Sequence, residues 1–381
     1  MMRSVFTNDH EAFRESARAF VRRHLEPVHQ KAVEDRGLPR EAWREAGRQG
    51  FLGLGVPEEY GGGAAPDYRF SAVLTEELAG LSAAVASSFS IHYDVVAPYL
   101  VELGTDEQRE RWLPGFCTGE TVSAIGMTEP SGGSDLAALQ TAAKRVHGKW
   151  ILNGSKTFIT NGASADLVVV AARTGPGERS KGISLFLVDA TQAGFRRGRK
   201  LDKVGQPESD TAELFFDDIE LDDSALLGEV GRGFVYMMER LPQERISGAI
   251  SNIAHVRPLL QETIQYARER KAFGRSIGSF QHNKFVLAEL NTKVEVTQAF
   301  VDQCLKEHAE GRLDAVTAAK AKWWTAQVQN EVIDACVQIF GGYGYMREYR
   351  IAQAWMDARV TKIWAGSNEI MKELIGRDLG L

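Results

Sequence analysis

Apolar residues recur at intervals of three to four residues over the first third of the chain. They include Phe13, Ala17, Phe20, Val21 and Leu25. This spacing predicts amphipathic helices from about residue 9 to residue 120. A glycine-rich loop at 50–63 interrupts the pattern, and Thr105 with Gln108 has the spacing of a capping box at a helix start. The first region is therefore predicted to be helical.

The pattern changes at about residue 121. Short, mainly apolar runs occupy 167–172, 183–188 and 212–221, and clusters of glycine, aspartate and proline separate them. Such runs are typical of strands. Asn153-Gly154 lies between two β-rich runs, which predicts a hairpin turn at that point. This part of the chain is therefore predicted to be a β domain.

Helical periodicity returns after Gly233 and persists over longer stretches. Apolar stripes run along 246–267 and 287–305, and a further helix is predicted from about Asp314 to Gly341, where glycine suits a helix C-terminus. Long helices of this kind pack as a bundle. The fold class is thus α+β. The predicted domains are an N-terminal α-helical domain at 1–121, a β domain at 122–232 and a C-terminal helical bundle at 233–381.

Composition and charge exclude several classes of protein. The formal net charge of -6 gives no basic surface for nucleic acid. Cys117, Cys304 and Cys336 are far apart in the sequence, so neither a disulfide framework nor a metal site is predicted. The N-terminus lacks the apolar core of a signal peptide, and no stretch is long and apolar enough to span a bilayer. A cytoplasmic location is expected.

The segment from Ile125 to Asp135 joins the helical region to the β region. It reads IGMTEPSGGSD and concentrates glycine with small hydroxyl residues. Such a loop can bring backbone N–H groups and hydroxyls close to a flat polar ring or a phosphate. A glycine-rich turn between domains would have the same composition. The residues by themselves leave both interpretations open.

Five segments together resemble the acyl-CoA dehydrogenase family, in the order and spacing of that family over essentially the whole chain. They are MTEPSGGSD at 127–135, FITNG at 158–162, RKAFG at 270–274 with Gln281, QIFGG at 338–342 and GSNE at 366–369. The resemblance implies a central β-barrel domain and a C-terminal four-helix bundle. It also implies FAD as cofactor, a homotetramer built as a dimer of dimers, and an electron-transferring flavoprotein as electron acceptor.

The same resemblance implies the residues that bind FAD. They are Ile125, Thr128, Ser134, Phe158, Thr160, Arg270, Phe273, Gln281, Gln338, Gly341, Gly342, Ser367 and Glu369. Thr128, Ser134 and Thr160 are the expected hydrogen-bond partners of the isoalloxazine ring. Arg270 offers a forked cation suited to a pyrophosphate, and in the family this arginine reaches the FAD of a neighbouring subunit. A cation that stabilises the end of a helix is the alternative role of Arg270.

Many members of the family carry a catalytic glutamate at the position that Ala365 occupies here. The run LPQER at 241–245 resembles the long-chain and isovaleryl branch, in which the base lies on this helix, and this implies Glu244 as the base. The alternative is an acidic residue in the first turn of a helix that starts after Pro242. The substrate contacts implied are Ser134, Arg245, Ala365 and Gly366.

The expected reaction is FAD-dependent α,β-dehydrogenation of an acyl-CoA to a trans-2-enoyl-CoA. Three alternatives stay open: a flavin monooxygenase or oxidase, a dehydrogenase of an acyl group on a carrier protein, and a non-catalytic binding protein. Acyl chain length and branching are not predicted. The chain departs from the family at Pro207, where a basic residue is usual, so what the loop at 203–211 binds is not predicted either.

Overall fold

The N-terminal part is helical, as its periodicity predicts. A computed structural model describes residues 3–175 and 180–381. Its first helices are α1 (Asn8–Phe20), α2 (Glu26–Asp35), α3 (Arg40–Arg48), α4 (Arg69–Leu81), α5 (Ala83–Ser90), α6 (Ala97–Leu103) and α7 (Asp106–Thr118). The predicted capping box is confirmed, because Thr105 and Gln108 exchange side-chain and backbone hydrogen bonds at the start of α7. π-Helical turns at Val21–Leu25 and Ile91–Val96 join α1 to α2 and α5 to α6.

The middle part is a sheet that packs against the N-terminal helices. Its strands are β1 (Ser123–Gly126), β2 (Ala142–Val146), β3 (Lys149–Ile159), β4 (Leu167–Arg173), β5 (Ile183–Asp189), β6 (Phe195–Lys200), β7 (Ala212–Leu221) and β8 (Leu226–Leu227). Alternate residues of β4 and β5 pack against Tyr99 and Phe116 on one face and against Trp150 and Phe216 on the other. Burial on both faces explains why these strands are continuously apolar.

The strands form an open sheet in the part of the chain that the structure describes. Their order is β6-β7-β3-β2-β4-β5-β8, and β1 pairs with β4. The predicted closed barrel is not confirmed, because β6 and β8, at the two ends of this order, do not pair with each other.

The hairpin turn predicted at Asn153-Gly154 is wrong. Both residues lie inside β3, where the pairing with β7 is shifted, and Asn153 hydrogen-bonds Asp218 across the sheet. The turn lies instead at His147-Gly148, between β2 and β3, where both residues have positive φ. That backbone suits a two-residue hairpin, and histidine-glycine is a weaker signal for it than asparagine-glycine.

The C-terminal part is helical again. Its helices are α8 (Gly233–Glu269), α9 (Gln281–Ala309), α10 (Ala315–Phe340), α11 (Arg350–Ala358) and α12 (Asn368–Asp378), and a small ribbon of β9 (Lys271–Ala272) and β10 (Arg275–Ser276) follows α8. The predicted limits of α10 are confirmed, because the helix begins directly after Asp314, which caps it, and Gly341 ends it with φ 63°. The buried core between α8, α9 and α10 includes Ile250, Val301 and Val332. Residue 244 lies inside the long α8, and residue 270 directly follows its end.

A buried polar junction joins all three parts. His29 Nε2 lies 3.0 Å from Glu208 Oε1, and the Ser82 hydroxyl donates to the same oxygen. The backbone N–H of Gln206 donates to Asp357 Oδ1, and its side-chain amide donates to the Asp357 carbonyl at 3.2 Å. Glu208 and Asp357 are 1% and 3% exposed. The loop that departs from the family pattern at Pro207 therefore fastens the sheet to α2 and α11.

Candidate active site

A buried ion pair fixes the glycine-rich loop at 127–135. The Lys156 ammonium donates to Glu129 Oε1 at 2.8 Å and to the Met127 carbonyl at 3.2 Å, and Lys156 is fully buried. Glu129 also accepts the backbone N–H groups of Gln140, at 2.6 Å, and Thr141, at 2.9 Å. Burial lowers the pKa of Lys156 to about 8, although Glu129 acts against that shift. Sequence reasoning missed this pair, since nothing local marks a strand lysine as the partner of a loop glutamate.

The loop and the end of β3 are adjacent. The Thr157 N–H donates to the Thr128 carbonyl at 3.0 Å. Thr128 and Ile125 are partly buried, whereas Ser134 is exposed. These predicted cofactor residues therefore share one surface with the strand end.

Phe158 is an aromatic side chain left in the open by a β-bulge. The pairing of β3 with β7 shifts between residues 156 and 159, and Phe158 adopts φ 58° with 69% of its surface exposed. A positive φ at an aromatic residue is unusual and marks local strain. Asn161 secures the following turn, because its amide donates to the Ser88 and Ser123 carbonyls at 2.9 and 3.2 Å. The bulge leaves the ring of Phe158 free to stack on a flat ligand, beside the partly buried Thr160.

Glu244 lies in the interior of α8, eleven residues after the helix begins at Gly233. The alternative of a first-turn acidic residue is therefore wrong, because Pro242 lies inside the helix and does not start it. The carboxylate of Glu244 is partly buried and accepts a hydrogen bond from the Tyr99 hydroxyl at 3.4 Å.

The proton affinity of Glu244 suits a base near neutral pH. Burial raises its pKa to about 7, and the charge of Asp94 acts in the same direction. Arg245, the hydrogen bond from Tyr99 and the more distant Arg240 act against this shift. Removal from water is the largest cause, as is usual for a carboxyl group against apolar surroundings.

A buried lysine holds the turn at Ala365-Gly366. Lys322, 1% exposed, donates from Nζ to the Gly366 carbonyl at 2.5 Å. Burial and the neighbouring Arg245 lower the pKa of Lys322 to about 8. Arg245 is 5% exposed, and its Nε has no hydrogen-bond partner among the described residues. Lys322 therefore contacts the turn and is influenced by the charge of Arg245, the residue after the predicted base; Lys322 was not predicted.

Both residues of this turn have left-handed backbones. Ala365 has φ 50° and Gly366 φ 85°, and a Cβ at Gly366 would lie 2.6 Å from Met371 Cε. Ser367 then caps α12 by accepting the N–H of Ile370. Glu369 is exposed in the first turn of α12. The turn is thus held in place by Lys322 on one side and by α12 on the other.

The remaining predicted cofactor residues form a second set near the ends of α8 and α10. They are Arg270, Phe273, Gln281, Gln338, Gly341 and Gly342, and all are exposed. The Arg270 guanidinium lies 5.5 Å from the centre of the Tyr343 ring, and Tyr266 stacks on Phe340 at 4.2 Å. Phe273, with φ 52°, is 95% exposed.

The two sets of predicted cofactor residues stay apart within one chain. The structure describes residues 3–175 and 180–381. Among these residues, no hydrogen bond, ion pair or ring contact links the set around Thr128 and Phe158 to the set around Arg270. In the same ranges no group of three or more His, Cys, Asp or Glu side chains is placed to hold a metal ion. No helix there is both long and apolar enough to cross a membrane.

The chain has a helical part, a sheet and a second helical part, in this order, and it carries the two sets of residues described above. This combination is typical of one class of protein. Models of the acyl-CoA dehydrogenase N-terminal, middle and C-terminal domains match residues 7–120, 124–219 and 231–380. The chain belongs to the acyl-CoA dehydrogenase family, whose members are FAD enzymes.

Individual relatives resemble this chain over their full length or nearly so. The long-chain specific acyl-CoA dehydrogenase of Rattus norvegicus mitochondria is 47% identical over 380 residues, which cover 99% of this chain and 88% of that protein. An acyl-CoA dehydrogenase from Geobacillus kaustophilus superposes with a TM-score of 0.97 at 42% identity and covers 100% of both chains. A glutaryl-CoA dehydrogenase from Mycobacterium smegmatis in complex with FADH2 superposes with a TM-score of 0.92 at 26% identity, covering 98% of this chain and 95% of that one.

Proposed function

We propose that this chain is an FAD-dependent acyl-CoA dehydrogenase in which Glu244 removes the α-proton of the acyl thioester, giving a trans-2-enoyl-CoA. The observation that carries the proposal is the pair formed by Glu244 and Ala365. Glu244 is a partly buried carboxylate on α8 with a pKa of about 7. The turn at Ala365-Gly366 is held by Lys322, on which the charge of Arg245 acts, and it offers only a methyl group at residue 365.

Each residue near the base has a definite task in this mechanism. Glu244 has to be ionised to accept the proton, and its raised pKa makes it a stronger base than an exposed glutamate. Tyr99 orients its carboxylate by hydrogen bonding. Lys322 fixes the carbonyl of Gly366, so the backbone N–H groups of the turn stay directed for a thioester oxygen.

Arg245 and Ser134 are proposed to contact the substrate. The Nε of Arg245 is buried without a partner, and a buried donor of this kind is stabilised when a ligand oxygen accepts from it. The thioester arm or the CoA chain would supply that oxygen. Ser134 lies exposed on the loop held by Lys156, where a ligand can reach it.

FAD fits the first set of cofactor residues. Bound FAD would supply the acceptor for the β-hydride. Phe158 presents an exposed ring for stacking, and Thr128, Ser134 and Thr160 offer hydroxyls near it. Ile125 would pack beside the ring, and Ser367 and Glu369 would close the site from α12.

The second set is proposed to serve a neighbouring subunit. Its six members are all exposed: Arg270, Phe273, Gln281, Gln338, Gly341 and Gly342. Among the described residues, no hydrogen bond, ion pair or ring contact joins them to the first set. A homotetramer built as a dimer of dimers would let them reach the FAD of the adjacent chain. The closed barrel, the four-helix bundle and the domain limits at 121 and 232 stay predictions, as does the electron-transferring flavoprotein as electron acceptor. A cytoplasmic location also stays a prediction.

The decisive experiment is anaerobic reduction of the bound flavin by a panel of acyl-CoAs and acyl-carrier proteins. Wild type is expected to bleach with at least one of them, at a rate that rises with pH through about 7 because Glu244 must lose its proton. Glu244→Gln should keep its flavin and lose about a thousandfold or more of this rate. Glu239→Gln, an exposed carboxyl on the same helix, is the matched control and should react as wild type.

Two results would contradict this proposal. The absence of bleaching with every acyl thioester would exclude a dehydrogenase. Full turnover by Glu244→Gln with oxygen as acceptor would instead favour an oxidase or monooxygenase, which needs no base at this position.

A further inference from the structure

Asp94 is a second buried carboxyl group beside the base helix, and the proposed mechanism does not use it. It lies on the π-helical turn Ile91–Val96 and is 2% exposed. The titratable side chains that face it are Tyr68, Tyr93 and Glu244. Its hydrogen-bond partners among the described residues are all neutral. A buried carboxyl group without a cation is costly, and π-helical turns often occur at functional sites.

Hydrogen bonds tie Asp94 to the helical turn that carries the base. Gln243 donates from Nε2 both to Asp94 Oδ1 at 3.0 Å and to the Asp94 carbonyl at 2.8 Å. The Tyr68 hydroxyl donates to Oδ2 of the same carboxyl group at 2.8 Å. Gln243 directly precedes Glu244 on α8. The position of the base therefore depends on the hydrogen bonds that Gln243 makes with Asp94.

Asp94 carries a charge of the same sign as ionised Glu244, and this charge raises the pKa of the base. Arg245 and Arg240 contribute positive charge at Glu244, Tyr99 donates a hydrogen bond, and Asp94 contributes negative charge. Burial raises the pKa of Asp94 to about 6, which is below the value of about 7 for Glu244. When Asp94 is ionised, its negative charge acts to raise the pKa of Glu244.

We propose that Asp94 is a positioning residue for Glu244: through its two hydrogen bonds with Gln243 it fixes the turn of α8 that carries the base, and it supplies a buried negative charge near that base. The inference rests on the proposed function for its catalytic meaning. The hydrogen bonds to Gln243 and the repulsion between the two carboxylates do not depend on substrate, so both can be tested in the protein without substrate. Asp94 itself touches no reacting atom.

The test compares Asp94→Asn with Asp94→Ala in the FAD-loaded protein. Asparagine keeps an oxygen for Gln243 but removes the charge, and alanine removes both. The Glu244 carboxyl is titrated by infrared difference spectroscopy without substrate and identified by its loss in Glu244→Gln. Asp357→Asn, which removes a buried carboxyl that does not act on Glu244, is the matched control.

Asp94→Asn is expected to lower the midpoint of the Glu244 titration by about 0.5–1 pH unit, because a like charge is removed. Asp357→Asn should leave it in place. In flavin reduction, the acid limb should move by the same amount, and Asp94→Ala should be about three- to tenfold slower than Asp94→Asn with little change in KM.

An unchanged Glu244 midpoint in Asp94→Asn would overturn the electrostatic role. Equal rates in the asparagine and alanine variants would overturn the anchoring role. Failure of wild type to bleach with any thioester would refute the proposed function instead, and the infrared titration would still decide whether Asp94 acts on Glu244.

Discussion

Ala365 adopts a left-handed backbone conformation with φ 50°. This conformation is energetically unfavourable for residues that carry a Cβ. The methyl group of Ala365 is exposed, and the next carbonyl is fixed by Lys322, which neighbours Arg245. The Gly366 carbonyl of the turn is therefore held by a buried side chain. If residues 244 and 365 face the same α-carbon, as we propose, a carboxylate at both positions would repel by charge.

Moving the base across the site is the sharpest test at the scale of single residues. Glu244→Ala is expected to abolish flavin reduction, and adding Ala365→Glu should restore part of the lost rate. Recovery of about ten- to a hundredfold over Glu244→Ala is expected, because proton transfer depends on geometry as well as on the presence of a carboxylate. The measurement is the rate of anaerobic bleaching by the best acyl-CoA of the panel.

Ala365→Glu alone is the control, since it adds the second carboxylate beside the first. It should bleach more slowly than wild type because the two charges repel. A double variant as inactive as Glu244→Ala would mean that the two positions do not face the same α-carbon.

Sequence identifies some residues of the site and hides others. Glu244 and Ala365 become candidates from sequence because each stands in a short motif with a family counterpart, and their roles stay predictions. Lys156 and Lys322 do not become candidates in this way, because each acts through a partner far along the chain: Glu129 and the Gly366 carbonyl. Buried cations of this kind are visible only when the fold places their partners. Asp94 belongs to the same group, for the same reason.

At the scale of elements, periodicity was a reliable guide and local turn signals were not. The apolar stripe of α10 predicts its limits near Asp314 and Gly341 correctly, because the stripe is long. Pro242 by itself suggests a helix start, but α8 passes through it. A proline can lie inside a long helix when tertiary packing on both sides outweighs the lost hydrogen bond.

The polar junction between α2, α11 and the loop around Gln206 predicts a variant of higher stability. Burial and the charge of Glu208 raise the pKa of Asp357 far above its ordinary value. The folded protein therefore binds a proton at Asp357 more tightly than the unfolded chain does, and stability is lost as the pH rises above the ordinary aspartate value. Asp357→Asn removes this loss and keeps the oxygen that accepts from Gln206 and Gln353.

Asp357→Asn should therefore be more stable than wild type by about 1–3 kcal/mol at about pH 8, and nearly equal to it at about pH 4, where the wild-type carboxyl is neutral. The measurement is thermal unfolding of the FAD-loaded protein at both pH values. Glu348→Gln, an exposed carboxyl just before α11, is the control and should change little. A lower melting temperature at both pH values would mean that Asp357 stabilises the junction by its charge.

At the scale of the whole molecule, the order of helical and sheet regions followed from composition and periodicity, but the sheet did not. The parallel pairing of β1 with β4 and the place of β2 between β3 and β4 join residues from separate segments. No pattern within a strand specifies its neighbour when the strand is buried on both faces, as β4 and β5 are. The family resemblance adds a closed barrel and a four-helix bundle to this order, and both stay predictions.

The exposure of Phe273 and Arg270 has a consequence for how the protein must be handled. If each flavin is bound partly by the second set of a neighbouring chain, then association of subunits and retention of FAD are linked by mass action. Flavin should be released on dilution to the concentration at which the subunits separate, and added FAD should drive them together again. Ultrafiltration and sedimentation over a dilution series measure the two transitions, which should coincide.

The variant Arg270→Lys tests whether FAD retention and subunit association are linked, or whether FAD binding alone is weakened. A lysine offers a point charge in place of the fork, so both transitions should shift together to higher protein concentration, by about tenfold. Arg268→Lys, an exposed arginine one turn from the same helix end, should leave both unchanged. Flavin retained by isolated single chains would show that each subunit is self-sufficient. If flavin is lost on dilution instead, cofactor content reports assembly, and the protein retained by ultrafiltration from a dilute preparation would be colourless without having unfolded.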